Sequence, residues 1–196
     1  MKYDEVVLLV IDFMKYNNIN ERFPMPVDNI LIREIGKYLG YNDGKYIKVV
    51  PIDTSNKLIL GKLRHFRNGV DVAINENLNN CWKRLIITKE LSHLVMSKNN
   101  EGITENIEIL IDGLFKNSFG ISDDIDHESL ALYMAVEYLM PYNISQIILE
   151  DITKFDLDIA EMFAIPESVV KIYRNDEFLK MRKNSYAVAF EEHKKI

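Results

Sequence analysis

The sequence predicts an α+β fold in which a small antiparallel sheet packs against a mainly helical body that ends in a helix-turn-helix-like segment. Three observations carry this expectation. Residues 46–75 are rich in β-branched and aromatic side chains and are punctuated by turn formers, a composition that suits short strands. Residues 82–96 and 127–140 contain no proline or glycine and carry enough apolar residues for buried helices. Residues 145–181 break into short apolar runs around Ala164-Ile165-Pro166, which reads as two or three short helices.

Taken in order, Val6, Leu9, Val10, Phe13 and Met14 recur at helical spacing until Asn17-Asn18 interrupts them, predicting a short amphipathic helix on the main body. Pro24 and Pro26 end the connector. A helix capped by Asp28 is expected to turn Ile30, Leu31, Ile35, Tyr38 and Leu39 inward until Gly40 stops it. Strands are expected over Tyr46–Ile52, Lys57–Phe66 and Val70–Asn75. Arg67-Asn68-Gly69 is the hairpin signal, since asparagine and glycine tolerate the positive φ of tight turns. Trp82–Met96 then forms a helix burying Leu85, Ile86, Leu91, Leu94 and Val95. Ile107–Phe115 reads as a helix, and Asn117–Asp126 as an irregular link whose last residue caps the apolar helix from His127 to Met140. Pro141 ends that helix, and Pro166 suits the first turn of a later one. The lysine-rich end from Glu191 to Ile196 is expected to fray.

Composition narrows the function classes. A net charge of −6 over 196 residues and a pI near 5.3 lack the basic footprint of a chain that binds nucleic acid or anionic lipid along its surface. Cys81 is the single cysteine, so neither an internal disulfide nor a thiolate metal cluster is expected, and a cytoplasmic setting fits. The apolar opening from Met1 to Met14 is interrupted by Asp4, Glu5 and Asp12, which argues against a signal peptide or a membrane span.

The chemistry is concentrated in Lys89-Glu90-Leu91-Ser92-His93. In a helical zinc-protease signature, two histidines four residues apart share a helix face and hold the metal, while the glutamate between them moves protons for the attacking water. Here Glu90 and His93 stand in the catalytic and second-ligand places, and Lys89 occupies the place of the first ligand. A protonated lysine has three donors and no lone pair for a metal.

The surroundings of this motif extend the pattern. Lys83 to Leu94, preceded by Val72-Ala73-Ile74-Asn75, resembles the segment "RRFTLAHELGHLL" of the ImmA/IrrE family of zincin-like metallopeptidases. Glu128 to Pro141 resembles that family's "ExEANxFAxELLMP", and Leu157 to Tyr173 its tail "LAxxFxVSxxxVxxRL". The resemblance covers roughly residues 28–173 and implies a zincin-like fold, with a metallopeptidase-type domain over 1–150 and a C-terminal helical appendage over 151–196. It implies Glu128 as the third zinc ligand beside His93, Glu90 as the catalytic base, zinc as the cofactor of a complete site, and a helix-turn-helix repressor of a phage or mobile element as the partner.

A catalytic zinc takes three protein ligands and an open position, and this chain offers two. Neutral Lys89 could coordinate, but neighbouring carboxylates favour its charged form. The expected arrangement is an ammonium standing in part of the ion's volume and pairing with Glu128 or Glu90, an attraction of about 4 kcal/mol at 4 Å and an effective dielectric of 20, before desolvation. His127 adjoins Glu128, but helical neighbours diverge by about 100°. His65 sits on an expected strand and His193 in the tail, and neither carries a ligand signal.

Two readings follow. In the favoured one, the chain is a regulatory protein-binding module without peptidase activity and without a bound cofactor. In the alternative, it is an active zinc metallopeptidase with a non-standard ligand set. Residues 157–174 also resemble a helix-turn-helix, with Ala160, Ile165 and Val170 packing the pair. Lys171 and Arg174 are opposed there by Glu167, Asp176 and Glu177, which favours a structural helix pair over DNA recognition. Lys180, Arg182 and Lys183 read as a solvated face.

Overall fold

The computed structural model describes residues 3–16, 24, 27–41, 44–53, 60–96, 103–104 and 127–193. The expected break at Asn17-Asn18, the helix at 107–115, the link at 117–126 with its Asp126 cap, and the last residues, 194–196, lie outside them. Among the described residues the chain is α+β, a small sheet against a helical body. Its elements are α1 (Tyr3–Tyr16), a π-helical turn at Val27–Leu31 continuing into α2 (Ile32–Tyr38), β1 (Tyr46–Ile52), β2 (Gly61–Phe66), β3 (Gly69–Asn75), α3 (Asn80–Met96), β4 (Ile103–Thr104), α4 (His127–Leu139), α5 (Tyr142–Glu150), α6 (Asp156–Phe163), α7 (Glu167–Tyr173) and α8 (Asp176–His193).

Local chemistry sets most of these boundaries. Asn79 caps α3, its Oδ1 accepting the Trp82 N–H at 3.0 Å, so the helix starts two residues before the expected Trp82. Gly40 ends the α2 region at φ +69°, a left-handed stop that costs glycine little. Asp28 already lies inside the π-helical turn rather than at a cap. The α2 region buries Leu31 and Ile35, but Tyr38, expected inward, is 46% exposed. It lies at the end of a seven-residue helix and covers the edge of Phe13 with its ring, centroids 6.3 Å apart.

The sheet has the order β1-β3-β2-β4 and is mixed rather than antiparallel throughout. β2 and β3 form the expected antiparallel hairpin, but β1 runs parallel to β3, from Tyr46 opposite Gly69 to Ile52 opposite Asn75. A strand's alternation fixes which side chains face inward and does not choose its neighbour, so this pairing was invisible in the local pattern. The turn of the hairpin is the Arg67-Asn68 pair, and neither residue adopts a positive φ. Gly69 serves a different need from the one expected of it. A Cβ there would stand 2.3 Å from the Tyr46 carbonyl oxygen, so glycine lets β1 lie against the start of β3.

β3 is buried along its whole length. Its Ile74 lies opposite Gly61, and a Cβ on Gly61 would stand 2.4 Å from a methyl of Ile86 on α3. Paired residues share a sheet face, so Ile74, Val72 and Val70 turn to the side covered by α3. Beyond α3 lies α4, where every residue from Ser129 to Leu139 is buried. A single apolar cluster runs from Tyr3 of α1 through both of these helices to Ala189 of α8.

Within that cluster, α4 is tied to α1 and α8 by a fully buried ion pair. Arg182 of α8, expected on a solvated face, is 0% exposed, as is its partner Glu137. The Arg182 Nε donates to Glu137 Oε1 at 2.7 Å and Nη2 to Oε2 at 3.0 Å. Nη2 also donates to the Met140 carbonyl at 2.9 Å. The hydroxyls of Tyr3 and Tyr186 donate to the same carboxylate at 2.7 and 2.8 Å. Burial first, and the Glu137 charge second, push both phenols well above their usual range, which keeps them donors. The Tyr173 and Tyr142 rings lie 4.7 and 5.3 Å from the guanidinium, a cation–π setting. Lys180 and Lys183 are exposed as expected.

Arg182→Ala would leave Glu137 charged and buried without its cation, and is expected to cost about 3–5 kcal/mol in urea denaturation. The double change Arg182→Met with Glu137→Leu should recover most of that loss. A single-variant cost below about 1 kcal/mol would contradict the assigned role.

Candidate functional site

α3 presents Lys89 and His93 one turn apart on the face that packs against α4, because residues i and i+4 share a helix face. Lys89, Glu90 and His93 are all buried, at 0, 0 and 2% exposure. Neighbouring hydroxyls are satisfied along the helix itself: Ser92 donates to the Thr88 carbonyl and Thr88 to the Arg84 carbonyl, each at 2.8 Å. The polar face of α3 is thus turned into the protein rather than to solvent.

Glu128, in the first turn of α4, reaches the same point from across the helix pair. Lys89 Nζ donates to Glu128 Oε2 in a short ion pair. His93 Nε2 lies 3.1 Å from Glu128 Oε1 and 3.3 Å from Lys89 Nζ, while Glu90 Oε1 is 3.6 Å from Lys89 Nζ. One ring nitrogen cannot accept from Lys89 and donate to Glu128 in the same tautomer. The shorter contact assigns Nε2–H as a donor to Glu128, whose two oxygens then each receive a donor. The cluster expected from the sequence is therefore assembled, with the ammonium bridging the carboxylates.

Burial would raise the Glu128 carboxyl, but the hydrogen bond from His93 and the charge of Lys89 outweigh it and bring the group down to about 2. Glu128 is the partly exposed member, its side chain 37% accessible, so solvent screens this pair more than the buried contacts of α3.

The residues present do not fit a zinc ion. The donor atoms that such an ion would take on Glu128 and His93 face the Lys89 ammonium and each other. Among the described residues no three histidine, cysteine, aspartate or glutamate side chains gather as a ligand set. His127 is exposed at the start of α4. His65 is exposed near the far end of β2, four residues and about 13 Å along the strand from Gly61. The His193 side chain lies outside the described residues.

The sequence reading overlooked Gly61. A Cβ there would also meet Glu90, with Cγ at 3.4 Å and Oε1 at 3.5 Å, so this glycine lets the sheet close over the α3 cluster. Its signal was a glycine opening a strand beside a helix, which is where backbones approach most closely.

In the segment beyond α5, Arg174 is used within the fold and Lys171 is paired at the surface. Arg174, the residue that ends α7, donates to the carbonyls of Leu149, Asp151 and Lys154 and pairs with Asp156 at 2.7 Å. Lys171 pairs with Glu167 at 2.8 Å. Between α6 and α7, Ala164 takes the left-handed conformation at φ 50°, and its carbonyl accepts the Arg84 Nε of α3 at 3.1 Å. Ala160, Ile165 and Val170 are buried. No helix among the described residues is long and apolar enough to cross a membrane. No protein-family model matches the chain, and a search of curated proteins finds no match either.

Because the Glu128 carboxyl ionises below its usual range, its contribution to stability is present above about pH 4.5 and is lost as the pH falls toward about 2. Wild type is expected to lose on the order of 2–4 °C more in Tm across that window than Glu128→Gln. Parallel curves for the two proteins, followed by circular dichroism, would contradict the ion pair.

Proposed function

We propose that this chain is a zincin-like domain of the ImmA/IrrE type that has lost metal-dependent proteolysis and acts in the cytoplasm as a regulatory protein-binding module. Its partner class, a helix-turn-helix repressor of a phage or mobile element, comes from the resemblance of the segments at 83–94, 128–141 and 157–173. One observation carries the loss of activity: the Lys89 ammonium bonds to Glu128 and lies 3.3 Å from His93 Nε2.

The energetics support this reading. A monovalent cation about 4 Å from a divalent ion is repelled by roughly 8 kcal/mol at an effective dielectric of 20. That takes most of the roughly 10–16 kcal/mol by which a complete structural site holds zinc. Zinc would have to displace or deprotonate Lys89 before it could use either remaining ligand. Without the ion there is no activated water, and Glu90 has no nucleophile to deprotonate. The ammonium instead compensates the carboxylates, so the scaffold keeps its shape and its surface for recognition.

The C-terminal helices fit the same reading. Arg174 is engaged within the fold and the exposed Lys171 is offset by Glu167, which favours protein over DNA as the partner.

Lys89→His is the direct test. It is expected to create a one-to-one zinc site of about micromolar affinity or tighter by titration calorimetry, while wild type shows no site at about 100 µM zinc. Equal zinc binding by the two proteins, or zinc-dependent cleavage of a co-encoded repressor by wild type, would overturn the proposal. A variant that gains no metal would show that the cluster is not a zinc site missing one ligand.

A further inference from the structure

The loop between α5 and α6 exposes large apolar side chains on a backbone that is held from within. Ile152 is 92% exposed and Phe155 76%, and α6 adds Leu157 at 53% and Met162 at 41%. Single exposed apolar residues are ordinary on a protein surface. Here they lie close together along the loop and the first turns of α6, where Leu157 with Glu161 and Asp158 with Met162 form two adjacent exposed rows.

The loop that carries them is braced. The Arg174 guanidinium donates to the Leu149, Asp151 and Lys154 carbonyls at 3.2, 2.9 and 2.8 Å, fixing the loop's start and end. The Asp151 carboxylate accepts the Thr153 N–H and hydroxyl at 2.9 and 2.6 Å, which fixes the middle. A platform already held in one conformation loses little freedom when a partner covers it. Large aromatic side chains such as Phe155 contribute heavily to such contacts, and the aliphatic neighbours add apolar area.

The rim specifies the partner's chemistry. Glu150, Asp158 and Glu161 are exposed around the apolar positions, and Arg174 is committed to the brace. From residue 147 to 162 there are five acids and one lysine. We propose that this platform is a docking surface for a basic, apolar segment of a partner protein, one that sets Leu- or Ile-type anchors over Ile152 and Phe155 and Lys or Arg against the acidic rim. A second copy of the chain would bring the same acids together. Residues 97–126, with seven acids and two lysines, have the wrong sign as well. Nucleic acid is repelled for the same reason. The inference rests on the reading of the chain as a protein-binding module.

The test uses the full-length protein and two synthetic amphipathic helical peptides, one of Leu and Lys and one with each Lys changed to Glu, followed by fluorescence anisotropy. Wild type is expected to bind the Leu/Lys peptide at least tenfold more tightly than the Leu/Glu peptide. Ile152→Ser with Phe155→Ser, which leaves every charge in place, is expected to weaken that binding at least tenfold, and the single exposed change Phe155→Lys should weaken it in the same direction. Equal affinity of wild type and both variants for the Leu/Lys peptide, or no binding at about 100 µM, would overturn the surface. So would self-association that disappears in the double variant, because the occupant would then be a second copy. Binding that survives both variants removes this surface and leaves the binding-module reading standing. Zinc-dependent proteolysis removes that reading, while a tenfold loss in these variants would still place the contact here.

Discussion

The organisation of the interior follows from one ammonium group. Lys89 stands buried between helices α3 and α4, bonded to Glu128 and near Glu90 and His93. The buried Glu90 and the partly exposed Glu128 both face this point, and a buried carboxylate without a compensating positive charge costs several kcal/mol. In a zinc protease of this pattern the metal supplies that charge, and also the catalytic power. Lysine supplies the charge alone. On the proposed reading, a single side chain separates two properties that the metal would unite, compensation of the carboxylates and activation of water.

The second constraint is the Glu137–Arg182 pair at the other end of α4. Nine residues separate Glu128 from Glu137, which is two and a half helical turns, so they leave α4 on opposite sides about 13 Å apart along its axis. One side faces α3 and the candidate site, and the other faces α1 and α8. α4 is thus held by ionic contacts at both ends, with an apolar surround between them. Tyr3 and Tyr186 complete the hydrogen bonding of Glu137, which matters because a half-satisfied buried network destabilises more than an apolar core would. The precise placement of Glu128 opposite Lys89 depends on this anchoring of α4 from behind.

Much of the site was legible in the sequence, and for a physical reason. The 3.6-residue period fixes that Lys89 and His93 share a face, so their juxtaposition needed no tertiary information. Glu128 did need it. Thirty-five residues separate it from His93, and only the resemblance of the segment at 128–141 linked the two. The register of α4 followed from the absence of proline and glycine up to Pro141. The parallel partner of β1 was not legible, since alternation specifies a face and not a neighbour. Arg182 was misread by treating Lys180, Arg182 and Lys183 as one charged run. Phe178, Arg182, Tyr186 and Ala189 are spaced four, four and three residues apart and all are buried. Arginine occupies a place in the apolar stripe, and periodicity was the signal that outweighed composition.

Metal content tests the central claim most directly. Wild-type protein produced with zinc present, dialysed without chelator and measured by elemental analysis is expected to carry well under one-tenth of an equivalent of zinc, since the Lys89 ammonium holds the position between Glu128 and His93. About one equivalent retained through dialysis, and lost when either Glu128 or His93 is replaced by alanine, would contradict it.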